Sequence, residues 1–171
     1  MKKKIYALAL LTTLSGVAHA ADGTIQFKGE IIDTACTVSS QSANQIVTMG
    51  QVSDKAFRAA GDTASATAFY IDLANCPASA QSASVKFDGS PYEGDNTTLA
   101  LTETDGAATG VGIQIRNADN SPLPLFTRSQ SITLTESKTN RLNFSAVYIA
   151  KASTVTAGPA DATATFSVVY N

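Results

Sequence analysis

Gly23-Thr24-Ile25-Gln26-Phe27-Lys28-Gly29-Glu30-Ile31 is the stretch whose reading decides the fold. Taken with a period of two, Gly23, Ile25, Phe27, Gly29 and Ile31 share one face, and Thr24, Gln26, Lys28 and Glu30 share the other. Successive side chains of a strand point to opposite faces, so this alternation specifies a half-buried strand. The pattern alone admits two settings. Packed on its own core, the strand opens the domain; protruding, it completes a neighbouring molecule.

Upstream, Lys2, Lys3 and Lys4 precede an apolar run from Ile5 to Leu14, and Ala18-His19-Ala20 ends it with small residues. This is the layout of a secretory signal peptide over residues 1–20, with the mature chain starting at Ala21. The run is too short to span a bilayer, which takes about 20 apolar residues. No later segment approaches that length, so the mature chain is expected to be exported without membrane insertion. Loss of three lysines from the 12 Lys+Arg leaves 9 against 14 Asp+Glu, a net charge of −5. Nothing basic remains to bind nucleic acid. The remaining 151 of the 171 residues suit one domain with a real core.

The same cleavage removes His19, the one histidine. Cys36 and Cys76 are the two cysteines, and export to an oxidising compartment makes a single structural disulfide their expected state. Ser-His-Asp, Cys-His and histidine-bearing metal sites are thereby excluded, and no phosphate-cradling glycine loop occurs. Asp88, Glu93 and Asp95 are grouped, but they lack the spacing of a calcium loop and read as solvated turn residues. The expectation is no catalytic residue, no metal, no cofactor and no enzymatic activity.

Downstream, turn residues punctuate short alternating runs. Ile46 to Met49 predicts a strand, and Ser53 to Arg58 a single helical turn capped by Ser53. Phe69, Ile71 and Leu73 alternate toward Cys76, and the disulfide is expected to staple that strand to the one before Cys36. Val85 and Phe87 mark another strand, which Asp88-Gly89-Ser90-Pro91 is expected to end in a turn, followed by a polar loop over Glu93 to Asn96. Leu99 with Leu101, Val111 to Ile115, Ile132 with Leu134, and Leu142 to Ala150 complete the middle of the chain. Pro122 and Pro124 confine their segment to an edge. The last run carries Ala162, Ala164, Phe166, Val168 and Tyr170 on one face. Eight or nine short strands without a useful helical period predict an all-β sandwich of the immunoglobulin type.

Four blocks together resemble the type 1 major-pilin family of the bacterial chaperone–usher pathway, over essentially the whole mature length. They are Gly23 to Ile32 followed by Cys36; the pair Cys36 and Cys76; Gly112-Ile113-Gln114-Ile115 with Asn143 to Tyr148; and a C-terminus with Gly158 opening the last strand and Tyr170 penultimate. The resemblance implies an incomplete immunoglobulin-like β-sandwich, lacking its final strand and completed by a donated one. A periplasmic chaperone would fill the open groove first, and an outer-membrane usher would exchange it for the extension of the next subunit. It implies a donor extension over residues 21–29 carrying Gly23, Ile25 and Phe27, and a pilin domain over 30–171. Gly158, Phe166, Val168 and Tyr170 would border the groove. The partners implied are neighbouring pilin subunits in a homopolymer, a chaperone and an usher, and the site of action is the surface fimbrium. Only Ala21 and Asp22 precede Gly23, which makes the extension short for the family.

Other functions are distinguishable. A minor adaptor of the same pathway would share every feature above. A carbohydrate-binding module would need an exposed aromatic platform, for which Tyr92 is the loop candidate.

Overall fold

The computed structural model describes residues 23–29, 31 and 35–171, and it divides the chain into two units, Met1–Ile31 and Ile32–Asn171. In the first unit, residues 23–29 form no regular secondary structure, and Ile25 and Phe27 are 80 % and 92 % exposed. The expected strand pattern is therefore present in the sequence without a strand at these residues. Residues 1–22, 30 and 32–34 lie outside the description, and the signal peptide with them.

The second unit is a two-sheet β-sandwich. Its strands are β1 (Thr37–Val38), β2 (Thr63–Ala74), β3 (Ser82–Gly89), β4 (Pro91–Tyr92), β5 (Asp95–Leu99), β6 (Val111–Asn117), β7 (Ile132–Thr133), β8 (Asn140–Ala150) and β9 (Ala164–Tyr170). One sheet runs in the order β1-β2-β8-β6-β5-β4 and the other in the order β7-β3-β9, with every ladder antiparallel. The core forms where the inward residues of both sheets meet: Ile71 and Leu73 of β2, Ile113 and Ile115 of β6, Leu142, Phe144 and Ala146 of β8, and Val85 and Phe87 of β3. Phe87 packs edge-on against Phe69 and Phe144, with ring centroids 5.9 and 5.1 Å away, and contacts Phe166 at 6.4 Å. These aromatics join three strands of the two sheets to the C-terminal one.

Cys36 and Cys76 form the disulfide across a sequence separation of 40. It joins the start of β1 to the end of β2, where Thr37 faces Ala74. The staple thus holds a strand that follows Cys36, and among the described residues none precedes it. The residues just beyond contain β1 and a single helical turn, α1 (Ser40–Ala43), capped by the Ser39 side chain. The Ser42 hydroxyl of α1 accepts the Asp72 N–H at 2.9 Å, tying the turn to β2.

Three further expectations are corrected. Ile46 to Met49 is extended but is not a strand, because a strand needs a ladder and no described residue supplies one there. Its Met49 carbonyl is instead held by the Ser65 hydroxyl. Ser65 sits at φ +56° in the β2 bulge, which re-aims its side chain out of the ladder. Asp88-Gly89 does not turn, since both residues continue the pairing of β3 with Thr165 and Ala164. The reversal comes at Glu93-Gly94, both at positive φ, between Tyr92 and Asp95. That is the two-residue geometry matching strand twist, so Asp95 and Asn96 belong to β5 and not to a loop. The turn of 3-10 helix at Asp54–Ala56, by contrast, has the Ser53 cap read from the sequence.

Candidate functional site

β9 is the strand around which the site is built, because its two edges differ. The Asn171 N–H donates to Ser82 O and the Ser82 N–H to Asn171 O, both at 3.1 Å, so this pair is hydrogen-bonded. Register then turns the backbone groups of Val169, Ser167 and Thr165 toward Ser84, Lys86 and Asp88 of β3. Val85 faces away from β9: its N–H donates to Ser129 Oγ and its carbonyl accepts from Ser129 N–H. By the same alternation, the N–H and C=O groups of Ala164, Phe166, Val168 and Tyr170 point to the outer edge. Among the described residues no strand pairs there.

The side chains follow the same parity. Phe166, Val168 and Tyr170 pack against the core yet remain partly exposed, while Thr165 and Ser167 face solvent. The outer edge therefore offers free backbone partners and apolar side chains from the same residues. Tyr170 reaches across to donate its hydroxyl to Cys36 O at 3.4 Å, and burial pushes its phenol up.

Three residues before β9, at Asp161, the chain lines a cavity of about 450 Å³. Its apolar walls come from Val52, Phe57, Val111, Tyr148, Val155 and Ala160. Asp54 and Asp161 also line it. Burial, reinforced by the Asp161 carboxylate, raises the Tyr148 phenol above its ordinary value, and its hydroxyl donates to Ala160 O at 3.1 Å.

The structure brings Phe166, Val168 and Tyr170 together on one strand. Gly158, expected to open that strand, precedes it by six residues and lines the cavity instead. A Cβ at Gly158 would fall 2.6 Å from Ala108 N and 2.8 Å from Ala107 C, so this glycine permits two backbone segments to cross. Gly23, Ile25 and Phe27 lie in the other unit, and open space surrounds the Cβ position of Gly23. Val52 and Phe57 were not singled out from sequence. Their signal was two apolar residues in a stretch without a period, flanking the capped turn.

No described group of acidic, cysteine or histidine residues has the arrangement to hold a metal ion. Asp88 pairs with Lys86 at 3.2 Å, and Asp95 with Lys151 at 2.5 Å. Tyr92 is half-buried in β4, not displayed on a loop.

A family model described as fimbrial protein matches residues 25–171. The chain is 39 % identical to long polar fimbria protein A of Salmonella typhimurium, covering 99 % of this chain and 97 % of the relative. It is 37 % identical to the C chain of type-1 fimbrial protein of Escherichia coli, over 95 % of this chain and 91 % of that one. Among solved structures, an antigen and type I fimbria protein of Burkholderia pseudomallei is similar, with a TM-score of 0.62 and 35 % identity, covering 81 % of this chain and 91 % of that chain. The P pilus rod subunit shares the fold, with a TM-score of 0.67 at 24 % identity over 81 % of this chain and 100 % of that one. The chain thus belongs to the fimbrial protein family, structural pilins of the chaperone–usher type and not enzymes.

Proposed function

We propose that this chain is a structural subunit of a surface fimbria and polymerises by donor-strand exchange. Residues 1–20 are removed on export, residues 21–29 are the donor extension, and residues 30–171 form the pilin domain. The extension of one copy lies along β9 of the next. Its backbone takes up the outward N–H and C=O groups of Phe166, Val168 and Tyr170, and Ile25 and Phe27 enter the groove, with Gly23 where space is least. A periplasmic chaperone covers the same edge before assembly, and an outer-membrane usher catalyses the exchange. The neighbours are further copies of this chain.

One observation carries the reading: among the described residues the outer edge of β9 is unpaired, and the backbone groups along it belong to Ala164, Phe166, Val168 and Tyr170, whose apolar side chains pack against the core. Such an edge is an aggregation hazard unless covered, and strand addition covers it. The exposed Ile25 and Phe27 are the complementary need, since burying such side chains is worth about 1.5–3 kcal/mol each.

The test is Phe27→Asp. A charge cannot be buried unpaired in an apolar groove. The variant should therefore be recovered as a folded, soluble complex with its chaperone and should form no polymer. If that complex cannot be purified, the strand belongs to its own domain and the proposal fails.

A further inference from the structure

We infer that Lys28 of the extension makes an ionic contact with Asp54 and Asp161 at the rim of the neighbouring copy's cavity, and that this contact sets the register of the donated strand. The inference rests on the donor-strand reading above and adds to it a determinant of placement.

Negative charge stands near the Ala164 end of the open edge. Near the Ala164 end, Asp54 and Asp161 both line the cavity, and both residues are exposed. Among the described residues the ion pairs are Lys86–Asp88, Arg141–Asp72 and Lys151–Asp95, so neither rim carboxylate has a cation of its own. Asp54 uses Oδ1 for the Lys55 N–H at 2.9 Å, and Lys55 itself does not line the cavity.

The occupant is a second copy of this chain, and its charge pattern is complementary in one direction. Lys28 is the basic residue of residues 21–29, and it follows Phe27 directly. Run antiparallel to β9, the extension brings Phe27 to the cavity and Lys28 to the two aspartates. Run parallel, it carries Lys28 to the Tyr170 end, away from both aspartates. Dimensions agree: β9 spans seven residues and Gly23 to Lys28 six, at about 3.4 Å per residue. With Phe27 in the cavity, alternation turns Lys28 to the exposed rim. A rim charge acts chiefly on association rate and on rejection of wrong registers, and both effects fade with salt.

The experiment measures polymer growth by sedimentation of full-length mature subunits at about 0.02 M and about 0.5 M salt. At low salt, Lys28→Glu should slow growth roughly tenfold, and so should Asp54→Lys with Asp161→Lys. At high salt both differences should shrink. The triple charge exchange, Lys28→Glu with both aspartate reversals, should restore growth toward the unmodified rate. Growth of Lys28→Glu at the unmodified rate in low salt overturns the inference, as does a deficit insensitive to salt. A triple variant that folds and grows no faster than its parents also overturns it. Circular dichroism of each monomer separates misfolding from lost contact; should the aspartate variants misfold, the salt response of Lys28→Glu decides alone. Unimpaired growth of Phe27→Asp is the separate result that removes the donor-strand reading itself.

Discussion

Asp95 shows how a single surface residue ties pH to the fold. The Lys151 ammonium, then the N–H and hydroxyl of Thr97, hold its carboxyl down at about 2 from the ordinary 3.8. A depressed folded value means stability that is present above 3.8 and lost as pH falls through about 2. The pair is partly exposed, so its contribution is modest. Asp95→Asn should lower the unfolding temperature by roughly 2 °C at neutral pH. That difference from the unmodified protein should vanish as pH approaches 2, which thermal unfolding across a pH series checks. Gly158 and Gly23 form the second contrast at this scale. A Cβ at Gly158 meets the backbone of the 106–108 loop, and backbone cannot swing aside like a side chain. Gly158→Ala should cost about 1–3 kcal/mol in denaturant unfolding, as overpacking does. Gly23→Ala meets nothing within 4 Å and should leave the subunit's own stability unchanged. That both are glycines was plain in the sequence, whereas which one is crowded depends on a chain crossing fifty residues away.

In the proposed polymer, β9 is the element on which assembly and folding meet. Its alternation was legible because Phe166, Val168 and Tyr170 share a parity, and parity alone also fixed which backbone groups they turn outward once β3 was known as the partner. Asn171 adds three backbone hydrogen bonds to Gln81 and Ser82. Removing Tyr170-Asn171 should therefore strip both the strand's anchor and part of the groove, and the truncated chain should be degraded in the periplasm. Immunoblotting of periplasmic extracts checks this; normal accumulation of a stable truncated monomer would count heavily against the account. Ser167→Asp, on the solvent face, should leave polymer yield unchanged. The stretch Ile46 to Met49 is the opposite case. Its β-branched residues satisfy strand propensity, yet it lacks a ladder, because propensity describes a residue's fit to a pleated surface and cannot provide the neighbour.

For the whole molecule, the disulfide is the main covalent constraint on the sandwich. Closing a loop across 40 positions stabilises by about 4 kcal/mol on the chain-entropy account. Both cysteines are buried, and the Asn140 side chain donates to Cys76 Sγ at 3.4 Å while also bonding Thr135 O and Lys138 O. Cys36→Ser should thus lower the yield of folded subunit severalfold and loosen the packing around β1, β2 and the loop before β8. Non-reducing mass spectrometry and thermal unfolding check it, and two alkylatable thiols in the unmodified periplasmic protein would contradict the bridge.

By itself the sequence determined the all-β class, the joining of Cys36 to Cys76, the strands β2, β3, β6, β8 and β9, and the family. These follow from local rules: a period of two assigns faces, turn residues interrupt, and two thiols in an oxidising compartment have each other. The tertiary structure decided which edges are paired. It placed Asp88 and Gly89 inside a ladder, left Ile46 to Met49 without one, brought Val52, Phe57, Val155 and Ala160 around one cavity, and left the outer edge of β9 free among the described residues. A hydrogen-bonded edge is a relation between two segments, and alternation within one segment is identical whether the partner is present or missing.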